Sequence, residues 1–130
     1  MVRYIIDTYA WIEYLNGSAR GEILRKLFND YDNKFITMEC CICELKGFCL
    51  KKGIDFSGVF KLVSKNSFIF PVLLDLWVSA AEIKSEMRKK IKDFGIIDAV
   101  LLAKQKELDS VIITGDKHFK GLKNVKYIGD

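Results

Sequence analysis

The sequence predicts an α/β fold, a three-layer α/β/α arrangement in which a central parallel sheet of four to five strands is covered by helices on both faces. Two observations predict it. Strand-like segments alternate with helical ones along the chain, as in sheets whose parallel strands are joined by helical crossovers. Several of those strands, such as VRYIID and SVIIT, are short apolar runs without polar alternation, which suits strands buried on both faces. Half of the 130 residues are hydrophobic and only one is proline. With no repeat or low-complexity tract, a single domain over residues 1–130 with one core is expected.

The elements follow in order. Arg3 to Asp7 is a buried strand of β-branched and aromatic residues with a polar stop. Thr8 to Leu15 is a helix, capped by Asp7 or Thr8, and Asn16-Gly17-Ser18 breaks it. Glu22 to Tyr31 is amphipathic, with Ile23, Leu24, Leu27, Phe28 and Tyr31 at helical spacing. Lys34 to Thr37 is a second strand, and Met38 to Lys51 a helix closed by Gly53. Asp55 caps a helix that runs to Ser64, and Ser67 to Val72 is a third strand ended by Pro71, as suits an edge. Asp75 to Lys92 is a long helix, charged in its second half. Ile96 to Glu107 is apolar nearly all round its first two turns, hence buried. Ser110 to Thr114 and Val125 to Ile128 complete the sheet.

Four carboxylates lie in or beside these apolar segments: Asp7 ends VRYIID, Glu44 interrupts CCICEL, Asp98 is the only charge in FGIIDAVLLA, and Asp116 follows SVIITG. An ionised carboxylate beside apolar surface needs a hydrogen bond, a cation or a metal. In open parallel sheets, chemistry sits at the carboxyl ends of the strands, where Asp7 and Asp116 are placed. Each acid also has a plainer reading. Asp7 can simply cap its helix, and Asp116 can cap a tight turn. Asp98 near a helix start gains roughly 0.3–1 kcal/mol from the macrodipole, too little against the several kcal/mol that burying a charge costs. Glu44 falls on the rim of its helix's apolar arc, about 40° from Phe48 at 100° per residue, and a rim glutamate can reach water.

Together, three aspartates and a glutamate, with Thr8 and Thr114 beside two of them, form an all-oxygen donor set of the kind hard cations such as Mg²⁺ or Mn²⁺ select. With no catalytic His, Cys or Ser constellation, such a set argues against acyl transfer and for metal-assisted phosphoryl chemistry. The net charge of +4 around an acidic centre suits a polyanionic substrate. Arg88, Lys89, Lys90 and Lys92, with Lys84, precede the Asp98 helix, and Lys117 and Lys120 flank Asp116. They are candidate phosphate contacts, and equally an ordinary solvated face. Tyr9, Trp11 and Tyr14 are candidates for base stacking or a partner, with core packing the expectation for Trp11. Cys40, Cys41, Cys43 and Cys49 spread around one helix and do not converge as a zinc site would require; they read as reduced packing residues, as in a cytoplasmic protein. No apolar stretch approaches the roughly 20 residues needed to span a bilayer, so no membrane association is expected.

Four segments, IIDTYAWIEYL, TMECCICEL, IIDAVLLA and VIITGDKHF, in this order and spacing, resemble the PIN domains, in particular the small VapC-type toxin ribonucleases. The resemblance implies a sandwich with strand order 3-2-1-4-5 and a catalytic metal site of Asp7, Glu44, Asp98 and Asp116. Thr8 and Thr114 would hold the carboxylates or waters on the metal. It further implies Mg²⁺- or Mn²⁺-dependent hydrolysis of RNA leaving 5′-phosphate and 3′-hydroxyl ends, a homodimer, and a small VapB-type antitoxin partner. It is the resemblance, not the periodicity, that makes Glu44 a ligand. The CCIC run before Glu44 departs from the usual pattern. Receiver domains need an acidic pair after the first strand and an aspartate ending the third, which here ends in FPV. Haloacid dehalogenases need an aspartate where this chain has Tyr9. Two alternatives stay open: a non-catalytic PIN-like module that binds RNA or protein, and an RNA-processing nuclease outside any toxin–antitoxin pair.

Overall fold

A computed structural model describes residues 1–129. In chain order the elements are β1 (Arg3–Ile6), α1 (Thr8–Leu15), α2 (Ala19–Phe28), β2 (Lys34–Met38), α3 (Glu39–Lys52), α4 (Phe56–Asn66), β3 (Phe68–Phe70), α5 (Leu74–Met87), α6 (Ile96–Leu108), β4 (Val111–Thr114) and β5 (Val125–Tyr127), with a 3₁₀ turn at Lys117–Phe119. The strands form one wholly parallel sheet in the order β3-β2-β1-β4-β5, the fold class the sequence predicts. Ile5 pairs with Ile36 on one side and Ile112 on the other.

Successive strand residues face opposite sides of a sheet, and here both sides are covered. Ile5 and Ile112 pack with Phe94, Leu101 and Ala80 under α5 and α6. Ile6 and Ile113 pack with Trp11, Leu24, Leu45 and Val63 under α1 to α4. Ile5, Ile6, Ile112 and Ile113 are all fully buried, which is why β1 and β4 carry no polar alternation. Burying both faces removes the apolar strand from water on each side, at roughly 1.5–3 kcal/mol per large side chain.

Two helices differ from their expected spans. α2 starts at Ala19 because Ser18, read as part of a breaker, caps it: its Oγ accepts from Gly21 N at 3.1 Å. Gly21 sits where α2 crosses α1, and a Cβ there would overlap the Glu13 carbonyl. The helix ends at Phe28, so Tyr31 stands exposed rather than on the apolar face. α5 stops at Met87 instead of Lys92. The segment turns back on itself, Asp93 adopts a left-handed φ of 65°, and Arg88 Nε donates to the Phe94 carbonyl at 2.8 Å. Lys89, Lys90 and Lys92 therefore sit on an exposed turn leading into α6 rather than on a helix face. No helix among the described residues is long and apolar enough to cross a membrane.

Candidate metal centre

β1 and β4 are neighbours, with Ile6 beside Ile113, and Asp7 N donates to Ile113 O at 3.0 Å. That pairing sets Asp7 and Thr114 side by side at the carboxyl edge of the sheet. Asp7 is 5% exposed and is the N-cap of α1: Oδ1 accepts from Thr8 N at 2.7 Å, and Oδ2 accepts from Thr114 Oγ1 at 2.7 Å. The same Thr114 hydroxyl accepts from Asp116 N at 3.0 Å, so one buried threonine fixes two of the four acids. Asp116 caps the 3₁₀ turn, its Oδ1 accepting from His118 N at 2.9 Å. Asp98, in the first turn of α6, accepts from Gly95 N at 3.0 Å. The simple capping roles weighed for Asp7 and Asp116 are thus both real, and Asp98, read as an acid near a helix start, also accepts from the backbone there. These bonds fix where the carboxylates point.

Glu44 lies on the exposed side of α3, yet its Oε1 accepts from Thr8 Oγ1 at 2.6 Å. Thr8 therefore joins Asp7 to Glu44 as Thr114 joins Asp7 to Asp116. His118 makes the remaining link, its Nδ1 standing 2.9 Å from Asp98 Oδ2 and 3.6 Å from Asp116 Oδ1. The polar side-chain groups fall into two tight sets, Asp7–Cys41–Glu44 and Asp98–Asp116–His118, with donor atoms within 4.8 Å of one another in each.

The electrostatics join the two sets. Burial pushes the Asp7 carboxyl up to about 7; the bonds from Thr114 and Thr8 oppose this, and the charges of Glu44 and Asp98 add to it. Glu44 is raised too, first by desolvation and then by Asp98 and Asp116. Carboxylates that raise one another across the gap face a common space, and a divalent cation there would relieve the repulsion. The His118 pKa is raised as well, here in favour of the charged form: its bond to Asp98 favours the imidazolium, helped by the charges of Asp116, Asp98 and Asp93. The Cys41 thiol is pushed well above its ordinary value by its bond with Cys40 and by burial. It stays neutral, so the anionic donors are oxygens, as hard cations require.

His118 and Cys41 are the site residues that sequence reasoning missed. His118 was legible only as the chain's single histidine, two positions past Asp116 in a turn; its reach to Asp98 crosses 20 residues of sequence. Among the expected phosphate contacts, Arg88 is engaged with the Phe94 carbonyl and Lys89 with Glu86. Lys120 Nζ lies 5.6 Å from the Tyr127 ring, while Lys117 flanks Asp116 in a cleft that also contains Tyr9 and Arg20. Trp11 is fully buried, its Nε1 donating to Thr37 Oγ1 at 3.0 Å, and Tyr14 packs edge-on against it. A separate cleft of about 400 Å³ between α5 and α6 shares no residue with the acids.

The architecture has clear counterparts. The chain superposes on VapC20 of Mycobacterium tuberculosis, a toxin that cleaves the sarcin–ricin loop, with TM-score 0.75 and 16% identity over 94% of this chain and 96% of that one. It superposes on a chain of VapBC2 of Rickettsia felis bound to a promoter DNA fragment, with TM-score 0.73 and 14% identity over 97% and 98%. A chain of the DNA-bound VapBC of Salmonella typhimurium gives TM-score 0.72 and 14% identity over 98% and 99%. At such identities these likenesses speak for the fold. No curated protein matches the sequence. The PIN domain family matches residues 4–125, nearly the whole chain, and on that match the chain belongs to the PIN domain family.

Proposed function

We propose that this protein is a divalent-metal-dependent endoribonuclease and the toxin of a toxin–antitoxin pair. The observation that carries the reading is the linkage of four carboxylates at one edge of the sheet, Asp7 to Glu44 through Thr8, Asp7 to Asp116 through Thr114, and Asp98 to Asp116 through His118; a divalent cation among them would relieve their mutual repulsion. The donor set fits the ion. Asp7, Glu44, Asp98 and Asp116 would hold it with oxygen alone, the preference of Mg²⁺ and Mn²⁺. When bound, the ion supplies charge stabilisation at phosphorus and acidifies the attacking water.

The chain's own residues do the positioning. Thr8 and Thr114 hold Asp7 through one oxygen each and tie Glu44 and Asp116 to it. His118 and Gly95 N together fix Asp98 Oδ2. Lys117 beside Asp116 and the exposed Lys90 and Lys92 before α6 are placed to attract phosphate, with Arg88, Lys89 and Lys120 contributing field though already partnered. The likeness to chains of VapBC assemblies supports a small VapB-type antitoxin as partner, and the reading extends to a homodimer in the cytoplasm.

The test is cleavage of a panel of single-stranded RNAs by the wild type and by Asp98→Asn, with Mg²⁺ or Mn²⁺ and with EDTA. The wild type cleaves only with metal, and Asp98→Asn loses at least about 100-fold, the upper end of the loss when even a metal's supporting partners are removed. Cleavage that survives chelation would sink the proposal. RNA binding without metal-dependent turnover would instead favour a binding scaffold.

A further inference from the structure

Tyr9 and Arg20 are not needed to hold a metal, yet they form the wall of the space next to Asp116. A cleft of about 410 Å³ is lined by Tyr9, Arg20, Gly115, Asp116, Lys117 and Tyr127, within the roughly 300–1,000 Å³ range of ligand pockets. Through Asp116 it is continuous with the acid cluster. We propose that this cleft is a nucleotide subsite for single-stranded RNA, holding the nucleotide that flanks the scissile bond. Tyr9 and Tyr127 would offer the base its aromatic surface, and Arg20 and Lys117 would take the phosphate. The inference rests on the nuclease reading above and supplies its substrate contacts.

Three features make the cleft a built site. Gly115 is the first: a Cβ there would overlap the Tyr9 ring at three of its atoms, so the ring lies against bare backbone immediately beside Asp116. Second, Tyr9 is anchored by Arg20, whose Nη1 donates to the Tyr9 hydroxyl at 3.0 Å. Third, the same Arg20 Nη1 lies 3.8 Å from Glu13 Oε1, so an ion pair backs the bond to Tyr9. The guanidinium is therefore pre-positioned while its side chain remains 42% exposed, so donors remain available to an incoming anion. Lys117, also part of the lining, is exposed.

The composition of the lining selects the ligand class. Two aromatic rings with two cations form a stacking platform beside a phosphate clamp, the recurring solution for single-stranded nucleic acid. A purely apolar peptide would offer no anion to Lys117 and to the remaining Arg20 donors, and a double helix would present no free base face to the rings. The acids alone repel the substrate before metal arrives. A cationic and aromatic shelf next to Asp116 gives the RNA a place to bind without contacting them.

The experiment measures binding, with turnover suppressed by replacing Mg²⁺ with Ca²⁺. Fluorescein-labelled hexauridylate and hexaadenylate are titrated with the wild type, Tyr9→Leu, Arg20→Gln and, as a control remote from the cleft, Lys61→Ala, following anisotropy at several salt concentrations. Tyr9→Leu keeps apolar bulk over Gly115 but removes the π-face, and is expected to weaken binding about 10-fold, the scale of one stacked base. Arg20→Gln is expected to weaken binding and to lower the salt slope by about 0.7, one phosphate contact on a single strand. Lys61→Ala leaves both affinity and slope as in the wild type. Arg20 is partly exposed, so its replacement reports even if Tyr9→Leu fails to fold.

Wild-type affinity and slope in Arg20→Gln would overturn the subsite. Thermal shifts with Mn²⁺ separate this failure from failure of the metal reading. Both cleft variants keep the wild-type Mn²⁺ shift if the acids bind metal independently. A wild type that shows no Mn²⁺ shift but whose RNA affinity falls with these variants would support the cleft and remove the metal centre.

Discussion

Replacing Asp7 by asparagine removes the most deeply buried of the four charges at almost unchanged shape. The Asp7 carboxyl rises from 3.8 to about 7 on folding. The folded protein therefore holds a proton that the unfolded chain has released, and linkage makes stability fall as pH climbs from about 4 to about 7, levelling off above that. At roughly 1.36 kcal/mol per unit, ionised Asp7 costs the metal-free fold roughly 2 kcal/mol at pH 5 and roughly 4 kcal/mol at pH 8. Asparagine does not titrate. The amide oxygen can keep the cap to Thr8 N, and Thr114 must turn its hydroxyl to accept from the amide nitrogen, a loss of about 1 kcal/mol that is the same at both pH values. Asp7→Asn should therefore gain about 2–3 kcal/mol on the wild type between pH 5 and pH 8.

The assay is urea unfolding of both proteins in EDTA at the two pH values. His118 and Glu44 titrate in both proteins, so the difference between them reports Asp7 together with its coupling to Glu44. With saturating Mn²⁺ at pH 8 the ranking should reverse. An ion at about 1,000 times its Kd stabilises the wild type by about 4.1 kcal/mol, more than the roughly 3 kcal/mol by which the variant leads without metal, and the variant lacks one anionic donor. Wild-type and variant stabilities that run parallel from pH 5 to pH 8, within extrapolation error, would refute the claim that burial sets Asp7's proton affinity.

Other outcomes follow from the same geometry. Mn²⁺ should raise the wild-type melting temperature and shift Asp98→Asn much less; equal shifts would mean that the acids do not share an ion. Thr114→Val removes the bond that lowers Asp7 and the acceptor that holds Asp116 N, and should cut cleavage about 10- to 100-fold with the activity profile displaced to higher pH. His118→Ala should destabilise the metal-free protein at low pH only. The His118 pKa is raised in the fold, so its contribution is complete below about 6.5 and disappears as pH rises through the folded value; a pH-independent loss would show that the ring acts by packing. Trp11→Ala should cost about 3–5 kcal/mol in chemical denaturation, because the ring is fully buried between α1 and the sheet; a loss near zero would contradict its core placement.

Much of this protein was legible locally. Strand and helix identities follow from apolar runs and periodicity, and two-sided burial of the sheet follows from strands such as RYII and VIIT, whose consecutive isoleucines leave no polar alternation. The helix ends that differed, at Ala19 and Met87, depend on one serine side chain and one arginine–carbonyl bond. Periodicity does not register such contacts. Asp98 could be singled out because its neighbours leave no solvated surface, and that is an energetic statement about sequence alone.

What periodicity could not supply is convergence. It left Glu44 on the rim of an apolar arc, free to face water, and only the packing of α1 against α3 brings Thr8 within 2.6 Å of it. His118 had no visible reason to matter until the turn after β4 set it beside Asp98. Arg20, on a helix whose start was misplaced by three residues, meets Tyr9 only through the crossing of α2 over α1. The sequence by itself determined which segments are buried and which acids are expensive there, because desolvation is set by near neighbours. The tertiary structure alone decided which acids raise one another and which hydroxyls, imidazole and guanidinium hold the space around them, because hydrogen bonds and Coulomb interactions depend on distances between residues up to 107 positions apart in the chain.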